Sequence, residues 1–407
     1  VVSAGATGTV TLAGSSVTTS GSGGQSFTGS TSFNANLTMD AGSGPIAFAG
    51  TLSSPNTKNL TLTTTGTLGF GVVTGLGDIS ITGASSGLTA TSISGNSLVG
   101  SVALNGPVNI TGAQTYQDRI SLATSGTSSI NVGSISTTNR DITLATNLGT
   151  LTVGALTAQN GTNGNINLTH GGTLTFGGNI LAGRSLNVTT NNGASIVVGN
   201  GSNVSMQALG GGVSLTGAVT LVNDLSINAA DAVSFGSTIN SVNLATRGAL
   251  SITTSGDPIT FSGAIGQNFK LGAITISGTP TGIDAGTNNI SASSFVTSTP
   301  ASNTINLQGI QNYDGALGLN LKTTGSSGNI NLGQVTTTLG GVSFTNSQKL
   351  SLLGNISSAG GILQQAGTGG TSTVDTGLVA SGSTLAITTT TSGSAIDFAS
   401  PITLNQS

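Results

Sequence analysis

A parallel β-solenoid, an all-β fold, is predicted by three observations. First, a paired strand motif returns about every 20 residues. ITLAT at Ile142 is followed by LTVG at Leu151, INLTH at Ile166 by LTFG at Leu174, and LNVTT at Leu186 by IVVG at Ile196. VSMQA at Val204 precedes VSLT at Val213, LSINA at Leu225 precedes VSFG at Val233, and VNLAT at Val242 precedes LSIT at Leu250. The offset within a pair is 8–10 residues, and from pair to pair it is 17–24. Second, each strand alternates. In INLTH, Ile166 and Leu168 point one way and Asn167 and Thr169 the other, so one face is buried and one solvated. Third, β-branched Thr, Val and Ile dominate while Glu is absent and Lys, Arg and Gln are scarce, a composition that suits a pleated, half-buried surface better than a helix. The 65 glycines supply corners.

The pattern reaches both ends. TLTTTG after Leu60, DISITG from Asp78 and VALNG from Val102 carry it N-terminally. ITISG from Ile274, LNLKTT from Leu319, INLG from Ile330, VSFTN from Val342 and LSLLG from Leu350 carry it onward. LAITTTT from Leu385, IDFAS from Ile396 and ITLNQ from Ile402 complete it. Stacked at about 4.8 Å, Ile166, Leu186 and Val204 fall into ladders around a narrow apolar interior. Roughly 20–22 residues per coil gives about 18–20 coils and a rod of about 90 Å. Composition does not shift, so residues 1–407 are expected to form one continuous right-handed β-helix. Around 280–315, Pro280 and Pro300 bracket a Ser/Thr/Asn-rich stretch, and a loop or distorted coil is expected because Pro cannot donate within a ladder. VTLAGSSVTT and ITLNQS read as ordinary strands with no capping helix, so end-to-end stacking or continuation into further repeats is expected. The chain starts and stops in mid-pattern, as an excised or mature segment does.

Only 5% of residues are charged, with 11 Asp against 8 Lys and Arg, a net charge of −3. That excludes an electrostatic nucleic-acid binder, which needs a basic stripe, and the charged kind of disorder. There is no Cys. A continuous core dispenses with disulfides, which fits an extracellular bacterial protein. No apolar run is long enough for a membrane-spanning helix.

The phrases GAQTYQDRISLAT (112–124) and GNINLTHGGTLTFGG (164–178) look like repeat units of large bacterial exoproteins. The chain resembles the repeat shaft of filamentous-haemagglutinin-like and autotransporter-like surface proteins. The resemblance implies a right-handed parallel β-helix, export to the cell surface, and adhesive, matrix or filament-forming roles. The NPNL- and NPNGI-type motifs of that family's secretion domain are absent, so no binding residue carries over. The expected partners are the protein itself or cell-surface glycans. No cofactor and no enzymatic activity are expected.

Six residue patterns raise other chemistries. Asp78, Asp141 and Asp224 recur immediately before a strand, with Asn165 and Asn329 in the same place. A calcium ladder would use stacked carboxylates, whereas Asx side chains at turns bond neighbouring backbone N–H groups; the second is expected, since no GGxGxDxUx repeat is present. His170, the single histidine, offers no triad or zinc site and is expected at a surface turn. A carbohydrate-active site needs clustered carboxylates or cations; Asp118 with Asp141 and Arg119 with Arg140 are the nearest candidates. Thr runs at 61–66 and 387–393 raise ice binding, but Thr also suits any outward strand face. Asn36, Asn109, Asn167 and Asn187 head Asn-x-Thr/Ser triplets. Finally, Gln25-Ser-Phe27, Gln114-Thr-Tyr116, Gln267-Asn-Phe269 and Gln311-Asn-Tyr313 share a Q-x-aromatic element. These are either aromatic contacts for a ligand or fillers of wide coils, and the filler role is expected.

Overall fold

The computed structural model describes residues 2–5, 8–138, 140–159, 161, 163–376 and 385–403. Its regular elements are all β-strands, and their pairing is parallel: the chain is a parallel β-solenoid. Contacts divide it into two compact units, residues 1–196 and 197–407.

In the first unit a turn holds three strands, for example Ile130–Val132, Ile135–Thr137 and Ile142–Thr146. Each pairs with its equivalent one turn before and one turn after. One ladder runs Val108, Ile130, Leu151, Leu174. A second runs Gln114, Ile135, Leu156, Ile180, and a third runs Ile120, Ile142, Ile166, Leu186. Earlier in the unit the second ladder steps through Val10, Thr31, Leu52, Val73 and Ile93. In the second unit the ladders include Leu225, Leu250, Ile274, Phe295, Leu319 and Val342, and Val213, Val233, Ile259, Ile283, Ile305 and Ile330.

The paired motif of the sequence is therefore two-thirds of a turn. The third strand, such as Leu156–Ala158, has three residues and follows its predecessor Leu151–Val153 across two corner residues. So short a strand offers only two inward positions, too few to show a period by itself.

Two expected strands are absent. Val242–Thr246 is a loop, with Leu244 60% exposed. Asn243 Oδ1 accepts the N–H groups of Ala245 and Thr246, both at 2.8 Å, and this Asx turn replaces the ladder that the apolar alternation suggested. The strand of that turn is Ile239–Ser241. In VALNG only Leu104 bridges, to Thr124. Residues 280–315 hold Ile283–Gly286, Ile290–Thr297, Ile305–Leu307 and Gln311–Tyr313, with one register shift between Asp284 and Gly286. Of ITLNQS, Ile402–Thr403 is a strand and 404–407 lie outside the described residues.

Inward positions are sealed: Ile142, Ile166, Leu168 and Leu186 are buried to 1% or less. Aromatic rings fill part of the interior. Phe27, Phe48 and Phe70 occupy one ladder, with ring centroids 4.9 and 5.8 Å apart and nearly parallel planes. Phe235 and Phe261 repeat this at 5.4 Å in the second unit. Turns press on turns closely enough that a Cβ on Gly106 would lie 1.5 Å from the Ser86 carbonyl oxygen. At 192–193 both Asn and Gly take positive φ, 54° and 67°, a corner that these two residue types adopt most readily.

Candidate functional site

The Asx residues before strands act along the stack. Asp141 Oδ1 accepts the backbone N–H of Asn165 at 2.7 Å and its side-chain amide at 3.3 Å. Asp224 Oδ1 accepts the N–H of Ala249 at 2.8 Å. Asp78 Oδ1 accepts from Asn96 Nδ2 at 2.6 Å and Ser97 Oγ at 2.8 Å. Asn329 Oδ1 likewise accepts from Lys349 N at 3.2 Å.

The three calcium candidates are not brought together. Asp78 faces Ser97 in the next turn, Arg119 follows in the turn after, and only then comes Asp141, as the register Ile79, Leu98, Ile120, Ile142 dictates. Asp224 stands between Asn203 and Ala249. A hard cation wants six to eight oxygens at about 2.3–2.6 Å. Among the described residues no group of three or more His, Cys, Asp or Glu is placed to hold a metal ion.

His170 is not a surface turn residue. It ends strand Ile166–His170 and is fully buried. Nδ1 lies 2.6 Å from the Gly172 carbonyl oxygen and Nε2 lies 3.0 Å from Thr190 Oγ1. A carbonyl only accepts, so Nδ1 carries the proton and Nε2 accepts from the threonine hydroxyl. Burial holds the imidazole below its ordinary pKa, with the Gly172 bond acting the other way. The sequence pattern allowed this: position 170 continues the inward set of Ile166 and Leu168.

Asp118 and Arg140 do meet, with Arg140 Nε 3.1 Å from Asp118 Oδ1 on an exposed edge. Asp141 is turned to Asn165 instead. Two open depressions lie at corners. One, of about 420 Å³, is lined by Thr57, Asn59, Leu76, Asn96 and Gln117 and by no ionisable side chain. The other, of about 430 Å³, has Asp284 among Pro258, Thr281, Asn303, Thr304 and Asn331. The Asp284 carboxylate accepts from Gly286 N at 2.8 Å and Asn306 Nδ2 at 2.9 Å. Neither depression holds the two ionisable groups that acid–base chemistry on a glycosidic bond requires.

Three of the four Q-x-aromatic elements are core. Gln25, Phe27, Gln114, Tyr116, Gln311 and Tyr313 are all buried. Tyr116 OH donates to Gln114 Oε1 at 3.1 Å and Tyr313 OH to Gln311 Oε1 at 2.9 Å, while burial raises both phenol pKa values far above the usual range. The fourth differs: Phe269 is 39% exposed. The Thr61 face has Thr38 and Ser80 as its ladder neighbours, and of the Thr run at 387–393 only Ile387–Thr389 is a strand. Asn109 and Asn131 bond each other at 3.0 Å, as do Asn167 and Asn187; Asn36 Oδ1 accepts from Asn59 N.

One cluster escaped the sequence reading. Asp314 takes Arg247 Nη1 at 2.7 Å on Oδ1 and Lys270 Nζ at 3.3 Å on Oδ2. Burial alone would raise this carboxyl, but the two cations more than offset it and hold it below its ordinary pKa. By the register of the ladders, 247, 270 and 314 are separated by one turn and by two.

No protein-family model, curated protein or solved structure matches the chain. Among the described residues no helix is long and apolar enough to cross a membrane.

Proposed function

We propose that this chain is a shaft of a bacterial cell-surface protein, of the filamentous-haemagglutinin-like or autotransporter-like kind, with a structural and adhesive role. The observation that carries the reading is the alternation along the strands, with mostly apolar residues sealed inward and mostly Ser, Thr and Asn facing outward. Ile142 and Leu144 are fully buried while Thr143 and Ala145, which alternate with them, are partly exposed. An architecture of this kind supplies length and repeated surface. The sequence has no Cys, so the continuous apolar core and the backbone ladders, not disulfides, hold the turns together. Assembly end to end with further turns of the same kind belongs to the proposal, because each turn already pairs its backbone with turns above and below.

Two experiments test it. Antibody raised to the chain should label intact source cells as strongly as permeabilised ones; labelling only after permeabilisation would overturn the surface role. Light scattering and electron microscopy of the purified chain at tens of micromolar should show end-to-end polymers; a monodisperse monomer would remove the assembly part.

A further inference from the structure

In the second unit one corner is unlike its neighbours. On one side of it run Ile239, Ile265 and Ile290, then Gln311; on the other run Leu250, Ile274, Phe295 and Leu319. Successive turns cross between these ladders differently. Residues 242–249 form a loop, and 266–270 form another. In the next turn Ile290–Thr297 crosses as a single strand with no loop at all. Asp314–Gly318 then loops again between Gln311–Tyr313 and Leu319–Lys322. A turn without a loop, between turns that have one, leaves a notch. Asp314 spans it to Arg247 and Lys270, and Gly315 N is fixed to the Ser293 carbonyl at 2.6 Å on its floor.

The notch differs chemically from the rest of the surface. Two cations on one carboxylate give it a local charge of +1 in a chain of net charge −3. Arg247, Lys270 and Asp314 keep 31%, 32% and 23% of their side-chain surface in solvent. Phe269, beside Lys270, stands out while Phe235, Phe261, Phe295 and Phe344 of the same unit are buried. Leu244 and Leu317 on the bordering loops are 60% and 68% exposed.

We propose that this notch binds the carboxylated sugar of an acidic polysaccharide, a uronate-type pyranose. A guanidinium has five N–H donors in a fixed fork, and the structure commits one of them to Asp314; Arg247 and Lys270 together supply charge-assisted donors for the sugar carboxylate. The apolar C–H face of the ring lies on Phe269, and Asp314 accepts from a ring hydroxyl while holding both cations in place. The proposal rests on the surface role above, and names the class of glycan it meets.

The test uses the full chain and calorimetric titration with an oligogalacturonate, against the same oligosaccharide fully methyl-esterified. The acid should bind and the ester should not, and added salt should weaken binding because the contact is ionic. Arg247→Gln and Phe269→Ser should each weaken binding roughly tenfold or more, the size of a lost charge-assisted bond or ring contact. Phe269 is exposed, so Phe269→Ser should leave the circular dichroism unchanged and stays informative if Arg247→Gln fails to fold. Equal binding of acid and ester, no binding of the acid, or full binding by Phe269→Ser would each overturn the site. None of these touches the antibody labelling of intact cells, so the site and the surface role fail separately.

Discussion

Asp141 Oδ1 accepts the backbone N–H of Asn165, the residue that holds the same place one turn later, at 2.7 Å. The same relation joins Asn36 to Asn59, Asn59 to Asp78, Asn289 to Ile310 and Asn355 to Ala386. Asp and Asn alternate at this place because the bond needs an oxygen and not a charge.

Asp141→Asn should therefore hold its stability, while Asp141→Ala leaves the Asn165 N–H without its acceptor and should lose about 1–2 kcal/mol. Urea unfolding of the three proteins measures this. Calcium and chelator should leave all three midpoints in place; a calcium-dependent rise that Asp141→Asn removes would show a metal role instead.

The aromatic stack should dominate local stability in the first unit. Phe48 lies between Phe27 and Phe70 and is buried to 1%. Phe48→Ala should cost about 3–5 kcal/mol, and Phe48→Leu distinctly less. A loss below about 1 kcal/mol would mean that the neighbouring turns collapse into the gap.

His170 sets an acid limit. Its folded pKa lies below the unfolded value, so the folded chain binds fewer protons than the unfolded one in this range. Its contribution is intact above the unfolded pKa of about 6.5 and is lost as pH falls from there through the folded pKa. Between about pH 6.5 and 5 no other side chain of ordinary pKa titrates, so unfolding free energy should fall by up to about 1.4 kcal/mol per pH unit. His170→Gln should flatten that slope; an unchanged slope would place its origin elsewhere.

The loop at 242–246 gives a contrast within one apolar phrase. Leu244→Ser should change stability by no more than about 0.5 kcal/mol, whereas Leu250→Ala, buried in the ladder, should lose about 2–5 kcal/mol. Equal losses would mean that Leu244 is covered in solution.

Period and alternation made the solenoid legible, since inward Ile166, Leu186 and Leu225 mark their ladders by spacing alone. The third strand of each turn was not legible, because Ile135–Thr137 and Leu156–Ala158 follow the preceding strand after only two residues and merge with it in the apolar pattern. VNLAT was misread because the Asn243 side chain competes for the backbone, an effect that hydrophobic patterning ignores. His170 was misjudged because a polar residue type outweighed its inward phase. The ion cluster was hidden because 67 residues separate Arg247 from Asp314, and only the measured coil lengths bring the two to one corner.

The inward ladders are made of nearly interchangeable residues. Ile142, Ile166 and Leu186 differ little in volume, so a partly folded chain can engage its neighbour one turn out of step, as a zipper engages one tooth late, with little energetic warning. The odd residues break this degeneracy. Phe27, Phe48 and Phe70 match only one another, Tyr116 needs Gln114, and His170 needs Thr190. They serve as indexing marks along a ruler of otherwise identical divisions: stretches between marks tolerate gain or loss of whole turns, and the marked turns fix which division is which.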